Sequence, residues 1–129
     1  SAVKLTDVAD GTSNTLLAGE RPPTPDLWIG WWYAGVGIDW QGTADTVLGA
    51  RERATPSGYP DLPDCGPGSA VFRSRTLDDA CGAMHFWSLH PGGAHFLFAD
   101  GGVRFLTYRA ADVLPALATR AGGEAVALE

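Results

Sequence analysis

His85, His90 and His95 recur at intervals of five residues, with Ser88 and Asp100 close by in the chain. Residues of these types admit three readings. Three imidazoles can hold a transition metal. A serine, a histidine and an aspartate can activate a hydroxyl nucleophile. The same residues can equally serve two turns around a strand. Geometry weighs against the first two. On a strand, residues five apart point to opposite faces, so the imidazoles converge only if a turn intervenes. If the residues between His90 and Asp100 form a strand, about 3.3 Å per residue separates the two by roughly 20 Å. Neither an H-E-x-x-H zinc helix nor a G-x-S-x-G nucleophile elbow is present. The sequence therefore assigns no catalytic residue, no metal ligand set and no cofactor.

Two further groups invite a chemical reading. Asp10, Gly11, Ser13 and Asn14 lie in "DGTSN", which offers hard oxygen ligands. The spaced carboxylates and distal glutamate of a calcium loop are missing, so a turn is the better reading. Trp28, Trp31, Trp32 and Trp40 form an aromatic segment with Tyr33. Such rings can stack on a carbohydrate or a peptide. They also fill the cores and hairpins of small domains, which is the reading preferred here.

The elements that would position these residues are short. "LTDVADG" (residues 5–11) predicts a helical turn capped by Thr6 and ended by Gly11. Ser13 and Asn14 predict a turn, and residues 15–18 a strand. Residues 21–26 are a proline-rich loop, and residues 27–40 suggest a twisted hairpin. Residues 42–80 form an irregular, proline-rich excursion, with a short strand expected at "AVFRS". "AMHFWSL" (residues 83–89) is a strand candidate and the expected neighbour of the hairpin that follows. That hairpin is "AHFLFADGGVRFLTY", with Pro91, Gly92 and Gly93 turning the chain into it. A two-residue Asp100-Gly101 loop would set Phe98 opposite Val103 and Phe96 opposite Phe105, with all four buried on one face. Toward the end, Asp112 is the expected N-cap of a helix with Pro115 in its first turn. Leu114, Leu117, Ala118 and Ala121 would form its apolar face, and Gly122 its stop.

The composition bounds the partners. The 129 residues suit a single domain spanning 1–129, and 45% hydrophobic content supports a core. A net charge of −6 without a basic cluster argues against nucleic acid. No apolar run approaches the roughly 20 residues of a membrane span. Cys65 and Cys81 enclose 15 residues. On the residues alone they are either one disulfide or two free thiols.

Three separated blocks carry a family resemblance. "HFWSLHPGGAHFLFADGGVRF" resembles the signature of the prepilin-like H-X9-DG family, abundant in planctomycetes: His90, nine residues, then Asp100-Gly101. "LTDVADGTSNTLLAGE" is similar to that family's other hallmark, and "LPALATRAGGE" to its common ending. Gly102 replaces a more usual serine, and His95 a more usual asparagine. The resemblance implies a type IV pilin- or pseudopilin-like protein: a leader, a long hydrophobic helix, then a β-rich head. This chain would be the distal head, an α+β domain on an antiparallel sheet, attached to the membrane only through a helix outside it. It would be a non-catalytic structural or assembly module, extracellular or in the cell envelope, partnered by other pilin-like subunits or envelope components. That location implies a Cys65–Cys81 disulfide. The alternatives are an extracellular binding module using the tryptophans, and a metal-dependent hydrolase.

Overall fold

The computed structural model describes residues 3–22, 72–79, 82 and 85–123. Its centre is an open antiparallel sheet of three strands in the order β1-β2-β3. Strand β1 is Leu16–Gly19, β2 is Gly93–Phe98 and β3 is Val103–Thr107. Among the described residues, short 3-10 turns at Leu5–Asp7, Thr12–Asn14 and Tyr108–Asp112 and one helix, α1 (Leu114–Leu117), accompany the sheet in an α+β arrangement. Among the described residues no helix is long and apolar enough to cross a membrane.

The hairpin forms where its turn residues place it, but in a different register. Leu97 pairs with Val103, Phe96 with Arg104 and His95 with Phe105. The loop is therefore Ala99-Asp100-Gly101, closed by Gly101 N–H to Phe98 O (2.9 Å) and Phe98 N–H to Gly102 O (2.9 Å). A two-residue type I′ loop needs positive φ at both central residues, whereas a three-residue loop needs it at one. That one is Gly101, at φ 83°. Asp100 then uses its carboxylate, Oδ1 accepting from Gly102 N (2.8 Å) and Oδ2 pairing with Arg104 Nη2 (2.7 Å).

This one-residue difference turns every side chain of β3 over. Phe96 and Phe98 are buried as expected, but Val103 (65% exposed) and Phe105 (41%) face outward, and Leu106 is buried instead. Arg104 lies on the inner side, its guanidinium 4.2 Å from the Phe98 ring centroid. The aliphatic stem of an arginine can cover apolar surface while its head reaches polar partners.

The core lies on this inner face. Ala94, Phe96, Phe98 and Leu106 pack with Phe72, Phe86, Leu114 and Leu117. Phe96 meets Phe72 (5.5 Å) and Phe86 (5.4 Å) edge-on. Such pairs add about 0.5–1.5 kcal/mol each beyond area burial. "AVFRS" is not a strand over its described part, residues 72–74, yet it delivers Phe72 to the core. Residues 85–89 are not a strand either. Their place beside β2 is taken by β1, with Leu16 opposite Phe98 and Gly19 opposite Phe96, and a bulge between Leu16 and Ala18. The 85–88 segment is held by single bonds, Trp87 N–H to Glu20 O (3.1 Å) and Trp87 Nε1 to Gly82 O (2.8 Å). Phe86 and Trp87 bury their rings without joining the ladder, and polar His85 and Ser88 are buried beside them.

The ends of the short elements also depart from expectation. The first turn begins at Lys4, whose N–H donates to Asp7 Oδ2 (2.9 Å), so Thr6 is not its cap. Helix α1 starts from Val113 rather than Asp112, with Pro115 in its first turn as expected. It ends at Leu117, one turn earlier than its apolar pattern suggests, and Ala121 is exposed. The positive φ falls at Gly123 (74°), not Gly122.

Candidate functional site

Strand β2 separates His90 from the Asp100-Gly101 pair. The nine residues between His90 and Asp100 are Pro91 and Gly92, the six of β2, and Ala99. The spacing is thus the length of the strand plus its turns. His90 and Asp100 stand at opposite ends of it, as the sequence expectation had them.

At the Asp100 end, the three blocks of the chain meet. Ala99 N–H donates to Thr15 O (2.8 Å) and Asp100 N–H to Thr12 O (3.0 Å). Arg104 Nη1 donates to Ser13 O (2.6 Å). Asn14 Nδ2 donates to Asp10 O (3.3 Å). Thr15, buried, donates from Oγ1 to Gly11 O (3.1 Å), and Thr119 O lies 3.3 Å from the same atom. The carboxylate of Asp10 accepts from Gly122 N (2.7 Å), Gly123 N (2.9 Å) and Thr119 Oγ1 (3.0 Å). The Gly123 and Gly122 amides, with the Thr119 hydroxyl, hold the Asp10 carboxyl below its ordinary range against a smaller opposing effect of desolvation. "DGTSN" is accordingly a turn, with Gly11 at φ 91°. Its aspartate is a tie to the C-terminal segment.

At the other end, Pro91-Gly92 reverses the chain, with Gly92 at φ 84°. Ser88 Oγ accepts from His90 N (3.0 Å) and donates to Gly93 O (2.6 Å). The Ser88 hydroxyl is therefore a brace of this turn. Gly93 cannot carry a side chain, because a Cβ would lie 2.1 Å from Leu106 O. The close crossing brings His90 back over β2, its ring centroid 5.0 Å from that of His95. This is the intervening turn that the five-residue spacing requires.

Glu20 completes the cluster. It follows β1 directly and extends the pairing, its N–H donating to His95 O (3.2 Å). Glu20 Oε2 accepts from His95 N (2.6 Å) and lies 3.2 Å from His95 Nδ1. Glu20 Oε1 lies 3.4 Å from His90 Nε2. Partial burial pushes the Glu20 carboxyl up, but the His95 N–H, the His95 ring and the charges of His95 and His90 together outweigh it. The net effect holds the group below its ordinary range. One ligand atom from each of Glu20, His90 and His95 lies within 4.8 Å of the others. The outer edge of His95 packs against Phe105, centroids 5.0 Å apart. His85 is buried and is not in this cluster.

Glu20 is the residue that sequence reasoning missed. Its signal was the closing Gly-Glu of the "TSNTLLAGE" block. Nothing local tied it to histidines 70 and more positions away. Cys65, Cys81, Trp28, Trp31, Trp32 and Trp40 lie outside the described residues.

No curated protein and no solved structure matches this chain. A protein-family comparison matches residues 1–112, most of the chain, to the family described as "Protein of unknown function (DUF1559)". With its tied N-terminal block and its His-to-Asp hairpin inside the matched span, the chain belongs to the DUF1559 family.

Proposed function

We propose that this chain is a non-catalytic structural module, the β-rich head of a pilin- or pseudopilin-like protein of the cell envelope or cell surface. Membership of the DUF1559 family over residues 1–112 supports the reading, together with the three sequence blocks that resemble prepilin-like H-X9-DG proteins. One observation carries it: Asp100, Asp10 and Ser88 are occupied in holding the backbone together. Asp100 accepts from Gly102 N and pairs with Arg104, Asp10 ties down the C-terminal segment, and Ser88 braces the Pro-Gly turn. The partners are other pilin-like subunits or envelope components, and an oxidising location carries a Cys65–Cys81 disulfide with it.

The test is the open reading frame upstream of Ser1, joined to localisation of the full-length product. A prepilin-type cleavage motif followed by one hydrophobic helix, with the head accessible to protease on intact cells, is the expected result. A full-length protein retained in the cytoplasm, without such a helix, overturns the proposal.

A further inference from the structure

The Glu20, His90 and His95 side chains converge on the outer side of the sheet, where none of them contributes to the apolar core. Their donors are two imidazole nitrogens and one carboxylate oxygen. This borderline set suits zinc and its transition-metal neighbours, whereas calcium and magnesium prefer all-oxygen shells. The separations fit as well. Around a tetrahedral zinc with bonds of about 2.0–2.1 Å, corner atoms stand about 3.3–3.4 Å apart. Glu20 Oε1 to His90 Nε2 is 3.4 Å and Glu20 Oε2 to His95 Nδ1 is 3.2 Å. The two contacts use different oxygens of the one carboxylate, and one ligand atom from each of the three residues lies within 4.8 Å of the other two. The remaining closure falls on His90, whose side chain is 56% exposed on a turn.

The fold also fixes the carboxylate. The main-chain N–H of His95 donates to Glu20 Oε2 at 2.6 Å. A hydrogen bond of this kind orients a ligating group before the metal arrives. Partial exposure of all three side chains leaves a further coordination position facing solvent.

We propose that Glu20, His90 and His95 form a Zn²⁺ site with three protein ligands and a water-accessible fourth position. The site is separate from Asp100, which stands at the far end of β2 and pairs with Arg104.

The experiment uses tag-free protein, stripped with chelator and titrated with Zn²⁺ alone by calorimetry, with metal content read after dialysis. One zinc per chain is expected, with a rise in Tm on zinc addition. His90→Ala and Glu20→Gln should each weaken binding by about tenfold or more, since even residues that only orient zinc ligands affect affinity on that scale. Both should lose the zinc-dependent rise in Tm. Their zinc-free circular dichroism should match the parent, because His90 is exposed and glutamine keeps the acceptor for His95 N–H. If Glu20→Gln fails to fold, His95→Gln is the second arm, and His90→Ala with His95→Gln then decides. Asp100→Asn should keep its zinc. No zinc uptake by the parent protein overturns the site. So does uptake unchanged in the folded ligand variants, or uptake lost in a folded Asp100→Asn.

Discussion

At the scale of single residues, two glycines in one hairpin are required for different reasons. Gly101 stands at φ 83° with open space where a Cβ would be. Gly101→Val is therefore opposed by backbone strain alone, about 2 kcal/mol for a β-branched residue in the left-handed region. Gly93 has no positive φ, but a Cβ there would meet a carbonyl oxygen of β3 at 2.1 Å. That contact is with main chain and cannot be relieved by a rotamer change. Gly93→Ala should thus lower Tm more than Gly101→Val, although alanine is the smaller side chain. A thermal melt of the two variants that returns the opposite order would refute the close crossing of β2 and β3. Asp100→Asn keeps an acceptor for Gly102 N and loses only the charge of a partly exposed pair with Arg104. It should cost less than about 1 kcal/mol.

At the scale of elements, the register of β2 against β3 decides which side chains hold the sheet to its core. Phe98 is fully buried and Leu106 nearly so, while Val103 is largely exposed. Phe98→Ala should cost about 3–5 kcal/mol in urea unfolding. Val103→Ala should stay within about 0.5 kcal/mol, as surface substitutions generally do. Comparable losses for the two would instead favour the two-residue Asp100-Gly101 loop, which buries Val103 beside Phe98. The turns at either end of β2 were legible from Pro91, Gly92, Asp100 and Gly101, because each residue has a backbone preference that acts locally. The register was not. It depends on whether Asp100 and Arg104 gain more from each other and from Phe98 than Val103 and Phe105 gain from burial. That comparison involves contacts across strands.

For the molecule as a whole, Asp10 joins the N-terminal turns to the segment after α1 across more than a hundred residues. Its carboxyl and that of Glu20 are both held below their ordinary values of 3.8 and 4.5. On acidification the unfolded chain takes up these protons first. The stabilisation is present above the ordinary values and is lost as pH falls through the lowered ones. Tm should therefore fall as pH is lowered through this range. Asp10→Asn, which removes one of these lowered carboxyls, should show a smaller drop between pH 6 and pH 3 than the parent. An equal or larger drop would mean that Asp10 carries none of the acid sensitivity.

The sequence alone determined part of the punctuation of this protein: the turns at Pro91-Gly92 and around Asp100-Gly101, where β1, β2 and β3 run to within a residue or so, that Pro115 sits in the first turn of a helix, and that His90 and Asp100 are a strand apart. These follow from φ preferences and from side-chain alternation, which neighbouring residues settle among themselves. The α+β character and the roles of Asp100 and Gly101 as turn residues were legible for that reason. The tertiary structure decided the rest. It chose β1 over the 85–89 segment as the partner of β2: Leu16–Gly19 makes a ladder, where residues 85–88 contribute buried side chains and single bonds. It ended α1 early, where Thr119 and the next two glycine amides turn toward a carboxylate from the other end of the chain. It drew Glu20 to two histidines that a Pro-Gly turn had folded together. Each of these outcomes rests on a pairing between residues 70 to 113 positions apart, and local backbone preference carries no information about which distant partner a group will meet.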